Sequence, residues 1–160
     1  MMIEIQREAP LAADVRRLLS EHLAEMFATS PAESVHALDA EALSRPGISF
    51  WTARENGALL GCVALTDLSS GHGEIKSMRT ALNARGRGIA ATLLAHVVDH
   101  ARRDGYENIS LETGTEDYFA AARRLYSRHG FVECDPFADY VLDPNSIYMS
   151  LGLGGKVRPA

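Results

Sequence analysis

The sequence predicts a mixed α/β (α+β) domain, a sheet with helices packed on it, and three observations carry that reading. Two apolar runs, Ile48 to Ala53 and Leu59 to Leu65, flank Glu55-Asn56-Gly57, and Asn-Gly tolerates the positive φ angles of a tight hairpin turn. Segments with apolar residues at helical spacing lie before and after that hairpin. The 160 residues suffice for one core that needs no metal or disulfide staple.

In chain order, Met2 to Gln6 alternates as a short strand, and Leu11 to Phe27 carries Val15, Leu18, Leu19, Leu23 and Met26 on one helical face. After the Thr29-Ser30-Pro31 break, Ser34 is placed to cap a shorter helix carrying Val35, Leu38 and Leu43, which stops near Pro46-Gly47. The central hairpin follows. Ser69 to Gly73 makes a second turn into a strand, Glu74 to Thr80. Strand parity puts Glu74, Lys76, Met78 and Thr80 on one face and Ile75, Ser77 and Arg79 on the other. Ile89, Ala90, Leu93, Leu94, Val97, Val98 and Ala101 then keep one helical face apolar until Gly105 supplies a stop. Ile109 to Thr113 resumes as a strand, Ala120 to His129 as a helix with Ala121, Ala122, Leu125 and Tyr126 at helical spacing, and Ile147 to Leu151 as a closing strand. That last strand is a candidate edge for a homodimer. One domain spans residues 2–151, and the Gly-rich stretch 152–160 reads as a flexible tail.

Lys and Arg number 16 against 21 Asp and Glu, a formal charge of −5, which argues against a general nucleic-acid binder. Cys62 and Cys134 lack metal-ligand spacing and read as reduced core residues, so no metal is expected and a cytoplasmic location follows. The N-terminus has no signal pattern and the longest apolar stretch is too short to span a bilayer, so no membrane partner is expected.

The stretch Arg85-Gly86-Arg87-Gly88-Ile89-Ala90 runs into the central helix. Glycines at a helix mouth expose successive amides, the helix dipole adds partial positive charge, and the arginines can add charge-assisted bonds, which together suit a diphosphate. A bare flexible loop with solvated arginines has the same pattern. A third reading is a dinucleotide fingerprint, since Gly86-x-Gly88-x-x-Ala91 has Glu112 about twenty residues on. NAD ranks second for this loop, because Ala81 to Ala84 separate the strand from the loop and the first 80 residues do not alternate strand with helix.

The strand Glu74 to Thr80, the loop Arg85-x-x-Gly88-x-Ala90 with its helix, the strand Ile109 to Thr113, and Leu125-Tyr126-x-x-x-Gly130-Phe131 together resemble the GNAT acetyltransferase superfamily. His22 to Met26, Thr29-Ser-Pro-x-Glu-Ser-Val-His-Ala-Leu-Asp39, Gly47 to Trp51, Phe137 to Tyr140 and Asp143 to Ser146 look like its YsnE-like bacterial branch. The resemblance implies a mostly antiparallel, splayed sheet with helices on both faces, whose strands after Thr80 and before Ile109 part to admit pantetheine, with acetyl-CoA as donor. It implies cofactor contacts at Met78, Arg79, Thr80, Arg85, Gly86, Arg87, Gly88, Ile89, Ala90 and Thr113. A backbone N–H of Met78 or Arg79 would meet the oxyanion, and Tyr126 would protonate the leaving sulfur. The asparagine that many relatives place before the Leu-Tyr pair is absent from Asp117 to Arg124.

For the base, Glu74 matches a strand position that carries a catalytic glutamate in some members, acting directly or through water, with His22 and His36 as alternative bases; a solvated strand-end carboxylate is the other reading of Glu74. His22, Met26, His36 and Glu112 are expected near the acceptor. Glu25, Glu33, Asp39 and Glu41 could form an acidic lip that attracts a cationic amine, or be ordinary solvated helix faces. Trp51, Phe137 and Tyr140 could line an aromatic pocket, whereas Phe50 reads as core. The leading expectation is an acetyl-CoA-dependent N-acetyltransferase of a small amine. A protein or peptide acceptor and a non-catalytic acyl-CoA sensor are the alternatives.

Overall fold

The structure, a computed structural model, describes residues 2–154. The chain runs β1 (Glu4–Arg7), α1 (Ala13–Thr29), α2 (Ala40–Leu43), β2 (Ile48–Glu55), β3 (Ala58–Asp67), β4 (His72–Thr80), α3 (Ile89–Arg103), β5 (Asn108–Gly114), α4 (Ala120–Arg128), β6 (Val132–Cys134) and β7 (Ser146–Gly152). Short 3-10 turns sit at Ala32–Ser34, Leu82–Ala84 and Asp117–Phe119. The sheet order is β1-β2-β3-β4-β5-β7-β6, antiparallel except that β4 and β5 run parallel.

Helices cover both faces because the strands bury apolar side chains on both. Val15, Leu18, Leu19 and Leu43 of α1 and α2 pack on Phe50, Cys62 and Ala64. Ile89, Leu93, Leu94 and Val97 of α3, with Leu125 of α4, pack on Trp51, Val63, Leu65, Ile75 and Leu111 from the other side. Each such aliphatic side chain contributes about 1.5–3 kcal/mol on burial. The hairpin turns as its sequence predicts, with φ of +51° at Asn56 and +83° at Gly57.

Two features of β4 shape everything downstream. It pairs with β5 only from His72↔Asn108 to Glu74↔Ser110, after which the two strands part. On its other edge the register with β3 slips between Cys62↔Arg79 and Ala64↔Lys76, so Ser77 and Met78 together oppose Val63, and Ser77 takes a φ of +57°. This bulge corrects the simple parity. Met78 shares the α3 face with Ile75, while Arg79 points toward α1.

Other expectations also change. The helix predicted from Ser34 is a 3-10 turn, then extended chain, then a four-residue α2 capped by Asp39 Oδ1, which accepts from the Ala42 N–H at 2.9 Å. Asp39 outcompetes Ser34 because the intervening Val35 and His36 are not helix starters and Ser34 is bound elsewhere. β7 is not an edge strand: it pairs with β5 on one side and with the short β6, which the pattern did not reveal, on the other. Cys134 lies on β6 and is only half-buried, unlike Cys62 in the core. Gly152 closes β7 and Leu153 is buried, its N–H donating to the Glu107 carbonyl at 2.9 Å, so the packed domain extends past 151; residues 155–160 of the expected tail lie outside the described residues.

A Cβ at Gly61 would lie 2.8 Å from the Arg79 carbonyl oxygen and 3.0 Å from Ile89. Gly61→Ala should therefore destabilise the domain by roughly 1–3 kcal/mol in urea titration, because backbone rather than a movable side chain blocks the added methyl.

Candidate active site

Where β4 and β5 part, a cavity of about 620 Å³ opens between them, reaching from the loop before α3 to α1 and to the segment between β6 and β7. Its far end is the mouth of α3. Gly86 and Gly88 have φ of +81° and +77°, and a Cβ at either would meet nothing within 4 Å. The glycines are therefore required by backbone conformation and open approach, not by packing. The α3 N-terminus has no side-chain cap and no acidic residue in its first turn, which leaves its amides available for an anion. Arg85, Thr80, Ile89, Ala90 and Thr113 line the same cavity. Arg87 does not: its guanidinium turns back to Glu55 Oε1 at 3.0 Å, at the end of the central hairpin.

Midway, Tyr126 lines the cavity from α4, with its ring edge-on to Phe131 at 5.8 Å. Its hydroxyl makes no hydrogen bond among the described residues. Burial, and secondarily the charge of Glu112, push its pKa up to about 12, so the phenol keeps its proton at neutral pH. Met78 and Arg79 stand on the opposite prong of the parted strands and also line the cavity.

At the near end, Glu74 is buried and its Oε2 accepts two hydrogen bonds, from the Tyr140 hydroxyl at 2.6 Å and from Lys76 Nζ at 3.2 Å. Lys76 Nζ also donates to the Tyr140 oxygen at 3.1 Å, and the His36 ring stands edge-on to Tyr140 at 4.9 Å. Burial, then the Glu74 charge, hold the Tyr140 phenol protonated. Burial raises Glu112, whose Oε2 accepts from the Ser146 hydroxyl at 2.8 Å. Burial and the neighbouring Lys76 lower His36. Ser34 donates to Asp143 Oδ2 at 2.6 Å, tying the stretch after α1 to the β6–β7 segment. A second cavity of about 390 Å³ meets the first at His36, Glu74, Lys76 and Tyr140.

The sequence-predicted set thus converges on one cavity, Arg87 excepted. His22 and Met26 line it from α1. The acidic lip is largely committed elsewhere: Glu25 grips Arg79, Glu41 pairs with Arg16 at 2.7 Å, and Asp39 caps α2. Of the aromatic candidates, Trp51 lies under α3 against His100, and Phe50 is core under α1, whereas Tyr140 lines the cavity with Phe137 behind it at 5.1 Å. Sequence reasoning missed Lys76 and Tyr118 as cavity residues. The motif pieces Thr29 to Asp39, Phe137 to Tyr140 and Asp143 to Ser146, far apart in the chain, meet here, and that was the signal available for Tyr140.

Residues 14–131 match the family described as Acetyltransferase (GNAT) family, and the chain belongs to it, in its YsnE-like bacterial branch. It is an acetyltransferase. It is 50% identical over 133 residues to the N-acetyltransferase YsnE of Bacillus subtilis (strain 168), covering 83% of this chain and 88% of that one. It is 39% identical over 151 residues to the IAA acetyltransferase of Azospirillum brasilense, covering 92% and 95%. Among solved structures, yncA from Salmonella typhimurium with its cofactor acetyl-CoA superposes with a TM-score of 0.71 at 20% identity over 99% of this chain and 98% of that one, a likeness of fold.

His22 supplies a pH test. Burial first, and the Arg79 charge second, lower its pKa to about 4 from an ordinary 6.5, and its Nδ1 has no hydrogen-bond partner among the described residues. Between those values the unfolded chain takes up a proton that the folded chain refuses, so stability falls as pH drops from about 6.5 toward 4. At pH 5 the loss from this residue is about 2 kcal/mol relative to pH 7, and His22→Gln should remove it in urea unfolding compared at the two pH values.

Proposed function

We propose that the chain transfers the acetyl group of acetyl-CoA to the amine of a small molecule by direct attack within a ternary complex. The observation that carries this reading is the single cavity that runs between parted strands from an open glycine-flanked helix mouth to a buried carboxylate cluster, with Tyr126 between them. A diphosphate suits the Gly86 and Gly88 end, where backbone amides and the α3 dipole favour anions and Arg85 adds charge. Acetyl-CoA is bound in the yncA structure, which supports the same donor here.

The near end holds the acceptor between α1, the stretch around His36, and Tyr140. Glu74 takes the amine proton, directly or through water. It is fixed through Oε2 by Tyr140 and Lys76 and lines the cavity beside them. The backbone N–H of Met78 or Arg79 meets the developing oxyanion. Tyr126, with its pKa near 12, gives its proton to the departing thiolate. Direct attack is favoured over an acyl-enzyme because the Cys62 thiol is buried and pushed up to about 12, and that of Cys134 is also raised, so neither is an activated nucleophile. Both cysteines are free thiols, which supports a reducing, cytoplasmic setting. A small-molecule acceptor draws further support from the Azospirillum relative, whose name gives IAA as what it acetylates.

The test is CoA-thiol release from acetyl-CoA across a panel of small amines and a panel of peptides, with CoA and NAD binding measured alongside. Release with a small amine supports the proposal; release with peptides alone overturns the acceptor class; CoA binding without any release points to a sensor; and NAD binding in place of CoA overturns the donor. With the active amine, Tyr126→Phe should lower kcat by roughly 10²–10⁴-fold and leave acetyl-CoA affinity within about twofold.

A further inference from the structure

Beyond Glu74↔Ser110, no backbone ladder holds β4 to β5, yet the prongs of the parted strands are joined by side chains. Arg79 lies five residues past Glu74 on β4 and is only 4% exposed. Its Nη1 donates to Glu25 Oε1 on α1 at 2.7 Å and its Nη2 to Glu25 Oε2 at 3.1 Å, a two-pronged fork. The same Nη1 lies 3.4 Å from the hydroxyl oxygen of Tyr118, four residues past the end of β5, and that hydroxyl in turn donates to Glu25. One buried guanidinium therefore links the β4 prong, α1 and the segment leaving β5.

We infer that Arg79, Glu25 and Tyr118 form a side-chain bridge that sets the width of the slit between β4 and β5 and so positions the pantetheine arm of the donor. Glu25 and Tyr118 are positioning residues acting through Arg79 and the strand that carries it, distinct from the diphosphate seat at Gly86 and Gly88 and from the Glu74 cluster. Three features support a positioning role over a surface ion pair. The bridge stands where the ladder is missing. Arg79 and Tyr118 both line the cavity, on opposite sides of the slit. Arg79 also occupies the strand segment whose backbone amides face the proposed thioester, so a shift of its side chain moves the oxyanion donor as well.

The inference rests on the proposed CoA site, and the experiment separates the two. Binding of CoA and of adenosine 3′,5′-bisphosphate, which lacks the pantetheine arm, is measured by calorimetry for the wild type, Tyr118→Phe and Glu25→Gln. Tyr118 is 44% exposed, so its phenylalanine variant should fold with a melting temperature within a few degrees of wild type. The expected result is CoA affinity weakened about tenfold in both variants, with the bisphosphate unchanged. Equal weakening for both ligands would mark a purely structural pair, and unchanged CoA affinity would remove the bridge from donor binding; either overturns the inference. Failure of the wild type to bind CoA would bring down the nucleotide site itself, and the bridge with it.

Discussion

The constraint on which the site depends is that β4 and β5 stay paired for only three residues and then diverge. β4 is satisfied on its outer edge by β3, and β5 on its outer edge by β7, so only the inner edges lack a neighbouring strand. A buried backbone group left unpaired costs about 1–3 kcal/mol, so such a slit persists only where water or a ligand can reach it. The bulge at Ser77 provides the divergence. By letting two residues face Val63, it bends β4 away from β5 and reverses which of the later side chains look toward α3 and which toward α1. Met78 then packs against the α3 core and Arg79 is delivered to Glu25. Gly61 sits beneath this bend, where the Arg79 carbonyl comes too close for any other residue.

Two polar networks flank the slit and differ in what they offer. The first, Glu74 with Lys76 and Tyr140, leaves one carboxylate oxygen uncommitted beside the cavity. The second, Arg79 with Glu25 and Tyr118, commits both Glu25 oxygens and holds that carboxyl well below its usual range, near 2. A carboxylate bound twice to one guanidinium is a poor base and a rigid strut. Burying Glu74 and Arg79 costs desolvation, so their presence beside a cavity is better explained by the geometry they enforce than by stability.

Much of this was legible from the chain alone, because the relevant signals were local. Asn56-Gly57 fixed the hairpin, the period of Ile89 to Ala101 fixed α3, and Gly86 and Gly88 marked its open mouth. What failed was non-local. Strand parity at β4 could not foresee a bulge that depends on β3 in register. The edge status of Ile147 to Leu151 could not be known without β6, a three-residue strand too short for any period to register. Ser34 looked like a cap because Asp143, its actual partner, lies 109 residues away. Arg87 looked like a phosphate ligand because nothing in the sequence brings Glu55 beside it. Glu25 looked like part of an attracting lip because a buried arginine from a distant strand is invisible to a helix-face reading.

The placement of Tyr126 and Glu74 follows from the same split. Acetyl transfer needs a proton removed at the amine and another supplied at the sulfur, and a carboxyl and a phenol differ in proton affinity by roughly six pKa units before any environment acts on them. Here the strands keep their environments apart. Tyr126 is enclosed by α4 and Phe131, and the negative charge it feels from Glu112 opposes its ionisation further. Glu74 sits on the opposite strand, its Oε2 accepting from Lys76 Nζ and from the Tyr140 hydroxyl. The phenol therefore keeps its proton at neutral pH, the state that the proposed acid role requires. Pairing β4 and β5 along their full length would close the cleft between them, and with it the separation of the two side chains on which the proposed acid and base roles rest.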